Sequence, residues 1–424
     1  METETKASNF EILIGILRYP EAMPDSPIHT LGHAFDWSAD RVDWPVTTDV
    51  GPGLSGVIAG ETRVMWLDPA SGRLTYRGVP IETLAVAPDF EATAFLLITG
   101  VSAGDEPLLF DRFRATLRSS RELPPPVLDL VDGMGPSVHP TRALRAGVSA
   151  LGCHELAVDD DLAGQQHWRE LRIVGQVAAV VGHVIDRRRG RERRPEDPAS
   201  SLAGSVVGAL AGRPSTAEER QLLDLLWVLY AAHGLDTPTF TSMIVASCRA
   251  DPYATIVAGL SALRGPRQGG AGEHVLRVLL SLEGAGAAER WVRQTIDAGS
   301  TIPGFGHPSY RMPDPRVVVL RKAAATHAGR LGKGQLFEVA RTVEEEATRR
   351  LAPKGVFVNI NLYGALLFHL LGAEPAEVPC LIAAARAAGI VALVEESLDT
   401  VRLYRPLTRY VGPPPRLVPT RGNP

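Results

Sequence analysis

The sequence predicts an all-α protein with one small β-hairpin near its start, folded as two helical domains. Three observations carry this. Apolar residues make up 45% of the 424 while aromatics are only 6%, and the abundant Ala, Leu and Arg favour helices over strands. From residue 90 onward apolar residues recur at three and four. The length exceeds what a single hydrophobic core usually serves.

Taken in order, residues 1–50 carry little pattern, and Trp37 and Trp44 read as surface anchors. Residues 62–68 and 73–76 are short alternating runs around Pro69-Ala70-Ser71-Gly72, which predicts a hairpin. Pro80 then opens a short helix over 80–84. Helical spacing follows over 90–99, 108–117, 141–151 and 165–185. The last of these ends in Arg187, Arg188 and Arg189, with Arg191, Arg193 and Arg194 beyond, which reads as a solvated helix end favoured by the macrodipole. Further helices are expected at 201–210, 218–232, 239–262, 273–282, 287–298, 315–331, 334–351, 362–371 and 378–398.

The net charge of −4 gives no basic excess to suggest nucleic acid. No apolar run reads as long enough for a membrane span, and residues 10–19 are too short and wrongly flanked for a signal peptide. A cytoplasmic protein is expected. Cys153, Cys248 and Cys380 show neither metal-type nor redox-type spacing and read as small core residues. No metal site is expected.

The most informative stretch is 303–316, with Pro303, Gly304, Phe305, Gly306 and His307 followed by Tyr310, Arg311 and Arg316. Glycines beside an aromatic suggest backbone passing close to a ligand. The histidine can polarise a carbonyl, and each arginine offers a planar fork that fits a carboxylate or phosphate. A plain Gly/Pro-rich turn whose histidine ties down backbone is the competing reading.

Several segments, in order, resemble the citrate synthase family. Tyr76-Arg77-Gly78-Val79-Pro80-Ile81-Glu82 is similar to its YRG-x-PIE turn. The segment from His233 to Thr241 resembles HE-x-NASTFT, and that from Gly265 to Gly272 resembles GPLHGGAN. The 303–316 stretch resembles PGFGH-x-VY-x-x-x-DPR, and 358–363 resembles PNVDFYS. Segments around Arg386 and Arg405 resemble the closing arginine motifs. The likeness spans about residues 55–415.

The resemblance implies a helical homodimer. An N-terminal extension at 1–55 would precede a large domain of 56–272 with 377–424, and a small domain of 273–376 would close over the cleft. It implies condensation of an acyl-CoA with a 2-oxo acid such as oxaloacetate, with a CoA thioester as co-substrate and no tightly bound cofactor. His307 would polarise the keto carbonyl. His233, Arg316, Arg386 and Arg405 would bind the oxo acid, Arg405 being donated across the dimer. Arg311 with Pro303, Gly304, Phe305 and Gly306 would receive CoA.

Other family positions depart. Gln268 stands where the motif has histidine, and Asn361 where it has the aspartate that removes the α-proton. Gly234, Asp236, Pro238, Gly272 and Ile382 differ as well. An amide is no general base, and losing one typically lowers the rate by about 10²–10⁴. Gln268 can still donate to a thioester oxygen. Three functions follow as expectations. The first is a Claisen-type condensation with a malonyl-type or otherwise activated donor, for which Gln268, Asn361 and His307 form the catalytic set. The second is another acyl-group reaction or hydrolysis with Asp236 as base, against Asp236 as a helix N-cap. The third is a non-catalytic homologue that binds a dicarboxylate or CoA ester.

Overall fold

The computed structural model describes residues 52–54, 57–154, 166–192, 197, 200–400, 403–406 and 412, so Trp37, Trp44, Arg193 and Arg194 lie outside them. The hairpin is present as β1 (Met65–Asp68) and β2 (Arg73–Tyr76), antiparallel with Asp68 opposite Arg73. A two-residue turn adds β3 (Val79–Pro80), which the sequence did not signal. Both turn residues, Arg77 and Gly78, have positive φ, the twist that such hairpin turns demand. Tyr76 is fully buried, and its hydroxyl donates to the Ala232 carbonyl at 2.9 Å and accepts the Ala232 N–H at 3.2 Å. The sheet thereby fixes the backbone that carries His233.

Helices follow as α1 (Ile81–Val86), α2 (Phe90–Thr99), α3 (Pro107–Ser119), α4 (Pro125–Asp132), α5 (Pro140–His154), α6 (Gln166–Arg188), α7 (Leu202–Ala211) and α8 (Ala217–Tyr230). Then come α9 (Thr237–Ser247), α10 (Pro252–Leu263), α11 (Gly270–Ser281), α12 (Ala285–Asp297), α13 (Arg316–Arg330), α14 (Gly334–Leu351), α15 (Asn361–Leu370) and α16 (Val378–Thr400). The single helix expected over 239–262 is two. Arg249 turns the chain with φ 61°, and Asp251 then caps α10, accepting from Ala254 N–H at 2.9 Å, with Pro252 in the first turn.

α16 is the core. Every residue from Val378 to Val394 is buried, including Arg386. Together with the preceding turn it is long and apolar enough to cross a membrane, contrary to the expectation that no run would be, but its apolar window lies wholly inside the protein. A helix apolar on all sides belongs inside other helices, and α16 packs on α2, α6, α8, α9 and α10. Small residues allow the crossings: a Cβ on Gly389 would lie 2.2 Å from the Ala231 carbonyl oxygen.

Two further expectations change. Cys380 is buried, but Cys153 and Cys248 are exposed in the single chain. The arginines closing α6 are ties rather than a solvated end. Arg189 donates to Gly372 O at 2.8 Å and pairs with the buried carboxylate of Glu377 at 2.5 Å. Arg188 reaches Glu374 at 3.2 Å.

Candidate active site

The site is assembled from five stretches: the segment after α8, the start of α9, the loop before α13, the start of α15, and the middle of α16. Two of these are locked together. Asn359 N–H donates to Gly304 O at 2.8 Å, Gly306 N–H donates to Phe357 O at 2.7 Å, and Phe305 bridges Val358. The Asn359 side chain adds a bond to Gly306 O at 2.8 Å. Gly304 and Gly306 have φ 85° and 86°, and a Cβ on Gly304 would lie 3.2 Å from that of Leu362. The glycines thus build this internal seam. The same seam holds His307 and Asn361 in one unit.

His307 is half-buried, and its Nδ1 accepts the backbone N–H groups of Ser309 and Tyr310, both at 3.1 Å. In the neutral ring the proton is therefore on Nε2. Burial, then the Arg316 charge, pushes His307 down to about 4. It is a neutral donor at physiological pH. His233 lies beside it, ring centres 4.9 Å apart, with Nε2 3.4 Å from the Tyr310 hydroxyl. Burial followed by Arg316 holds His233 well below the ordinary histidine value.

Arg316 opens α13 and is 2% exposed. Its Nε and Nη2 donate to Asp314 at 2.9 and 2.7 Å, and its Nη1 donates to Leu229 O at 3.1 Å. Burial alone would lower its pKa, but Asp314 more than compensates and keeps it charged.

Arg386 is the one charged side chain in α16 before Glu395. A guanidinium in such a helix must find partners. Its Nε donates to Tyr230 O at 2.8 Å, and its Nη1 pairs with Asp236 Oδ2. The other oxygen of Asp236 accepts Thr239 N–H at 3.1 Å and caps α9. Asp236 is thus both cap and counter-ion.

Asn361 is the first residue of α15, its Oδ1 3.5 Å from the Tyr230 hydroxyl. A Cβ on Gly272 would lie 3.7 Å from that oxygen, so Asn361 faces α11 one turn beyond Gln268. Gln268 donates through Nε2 to Thr237 Oγ1 at 3.0 Å. Burial raises the Tyr230 hydroxyl and keeps it protonated.

Among the residues singled out from sequence, His233, His307, Arg316 and Arg386 converge here. Gln268 and Asn361 flank the same region. Arg311 is exposed and donates to Pro308 O at 3.2 Å within its own loop. Arg405 is exposed, beside Tyr404, which meets Phe240 of α9 edge-to-face with ring centres 5.3 Å apart. No hydrogen bond or ion pair joins Arg405 to the other four within the described residues. Glu273 stays in α11 and pairs with His139 at 3.0 Å and Arg277 at 2.7 Å, outside the site. Sequence reasoning missed Tyr230, Asp314 and Asn359 as site supports. Asp314 had a signal in its spacing to Arg316, but Tyr230 sits in an apolar helix with none.

A model of the citrate synthase C-terminal domain matches residues 53–407. A citrate synthase of Acidithiobacillus ferridurans is 31% identical over 370 residues, covering 85% of this chain and 95% of that protein. 2-Methylcitrate synthase 2 of Corynebacterium glutamicum is 30% identical over 378 residues, covering 86% and 96%. The crystal structure of citrate synthase from Thermotoga maritima superposes with a TM-score of 0.77 at 28% identity, covering 87% and 97%. That from Thermoplasma acidophilum, a ternary complex with carboxymethyl coenzyme A and oxaloacetate, shares the fold with a TM-score of 0.82 at 24% identity, covering 88% and 98%. With the family model spanning most of its length and relatives matched nearly end to end, this chain belongs to the citrate synthase family.

Proposed function

We propose that the protein is a condensing acyltransferase that joins the α-carbon of an acyl-CoA to the keto carbon of a 2-oxo acid. The relatives named above are citrate and 2-methylcitrate synthases, which sets the reaction class. One observation carries the acceptor side: His307 is fixed with its Nε2–H free of the two backbone donors that occupy Nδ1. A neutral N–H beside a retained guanidinium is suited to a keto oxygen that becomes an alkoxide.

The new bond forms between the thioester α-carbon and the keto carbon. The keto oxygen gains a proton through His307. The α-carbon gives up either a proton or, in a malonyl-type donor, carbon dioxide. Water then cleaves the thioester to release free CoA thiol and the acid. Gln268 and Asn361 serve as hydrogen-bonding groups around the enolate. The carboxylates reached by the site's bonds, Asp236 and Asp314, are each held by a guanidinium, and among the described residues the Asn361 side chain bonds to the Tyr230 hydroxyl and to no carboxylate. This favours a donor that needs no carboxylate base and makes ordinary citrate synthesis slow. For a hydrolytic reaction with Asp236 as base, the same bonds weigh against it, since its two oxygens already accept from Thr239 N–H and Arg386. The working unit is a dimer to which Arg405 of one protomer contributes across the interface, and the small domain of 273–376 closes the cleft.

The test is to mix purified protein with a 2-oxo acid and acetyl-, propionyl- or malonyl-CoA, then follow free thiol and product mass. Malonyl-CoA should release thiol and give the condensed acid, with acetyl-CoA far slower. No thiol from any pair would leave a ligand-binding homologue. Rapid citrate formation from acetyl-CoA and oxaloacetate would show that a base exists after all.

A further inference from the structure

The inner site holds as many carboxylates as guanidinium groups. Arg316 is bidentate to Asp314, and Arg386 is paired with Asp236. Both imidazoles are neutral, for burial and Arg316 depress them. The inner site therefore carries no uncompensated positive charge, although outer N–H donors remain on both arginines.

The two pairs differ in origin. Asp314 lies two residues before Arg316, within the DPR motif. Asp236 comes from another element, 150 residues from Arg386, and occupies a position where the resembled motif carries an amide. It is also immobilised. The α9 cap holds one oxygen and Arg386 the other, and its side chain is 14% exposed. Displacing it would strand a part-buried carboxylate and strip a helix cap. A second acceptor carboxylate placed at Arg386 would also meet Asp236 at like charge.

Resting on the condensation reading above, we propose that Asp236 takes the place of an acceptor carboxylate at Arg386, so that this site prefers 2-oxo acids with one carboxylate over dicarboxylates. One free carboxylate then matches one further cation, the exposed Arg405, if it is supplied across the dimer. The Asp236 carboxylate acts here as a built-in specificity determinant: it binds the arginine that a second acid group would need.

The experiment measures binding of pyruvate and oxaloacetate to the intact protein by calorimetry, without thioester, for the wild type and Asp236→Asn. Asparagine still caps a helix but cannot neutralise an arginine. Wild-type protein should bind pyruvate at least as tightly as oxaloacetate. Asp236→Asn should shift the ratio toward oxaloacetate by about tenfold or more. Tighter wild-type binding of oxaloacetate overturns the proposal, as does an unchanged ratio in the variant. Should the variant not fold, the wild-type comparison decides alone. The outcomes separate this proposal from the condensation reading. Pyruvate preference without thiol release from any acyl-CoA leaves Asp236 as the selector and removes the condensation. Thiol release with an oxaloacetate preference does the reverse. Binding of neither acid removes both.

Discussion

The Tyr310 backbone N–H donates to His307 Nδ1 at 3.1 Å, and the two rings lie 4.4 Å apart. This contact sets the tautomer of His307 and makes its protonation disruptive, because a protonated Nδ1 no longer accepts. His307 falls from 6.5 to about 4 on folding. Between those values the unfolded chain binds more protons, so stability is full above about pH 6.5 and is lost as pH falls toward 4. For this part-exposed ring the loss should be about 2 kcal/mol. Denaturant titrations across that window should show it, and His307→Gln should flatten the slope.

Asp224 acts in the opposite direction. Burial pushes its carboxyl up to about 7, although the Phe90 N–H donates to it at 3.2 Å. The native state therefore holds the extra proton between about pH 4 and 7, and this contribution to stability is lost as pH rises through 7. Asp224→Asn keeps an acceptor for Phe90 and should stabilise the protein at pH 8 by about 1–2 kcal/mol, less than a fully dry site would give. Thermal melts of both proteins at pH 5 and pH 8 check this, and an equal gain at both would refute it.

Asn361→Asp places a carboxylate at the start of α15. It should raise exchange of the acetyl-CoA methyl protons with solvent, and citrate formation with it, by about 10²–10⁴. Deuterium uptake read by mass spectrometry separates this step from condensation. An unchanged exchange rate would mean that position 361 does not face the thioester.

Gly389→Ala probes the packing beneath the site. The new methyl would meet the Ala231 carbonyl and Ala232, which are backbone and neighbouring core and cannot swing aside. Overpacking here should cost about 3 kcal/mol or more. Because Ala232 precedes His233, oxo-acid affinity should fall as well in whatever protein remains folded. A melt within a degree of wild type would show that the α8–α16 crossing is looser than its geometry states.

Local pattern was enough for most helices, and the exceptions have definite reasons. The run from 239 to 262 is uniformly small and apolar, so periodicity passed over the break, although Asp251-Pro252 is a cap followed by a favoured first-turn residue. α4, eight residues long and opening on Pro125 and Pro126, was too short to stand out. β3 has two residues and exists only through its pairing with β2. At the site, His233, His307, Arg316 and Arg386 were legible because their motifs keep order and spacing. Tyr230 was not, since its role is visible only once Gly364 leaves room for the ring: a Cβ there would lie 2.2 Å from the hydroxyl.

The sequence by itself determined the helical class, the hairpin, the family and four of the residues that converge at the site, because these rest on local periodicity and on residue types at fixed spacing. Only the tertiary structure decided how the charges pair. The Asp236–Arg386 bond joins the cap of one helix to the buried middle of another, 150 residues apart. No local pattern encodes that bond, which forms because a guanidinium buried in an apolar helix must find an acceptor wherever the fold brings one.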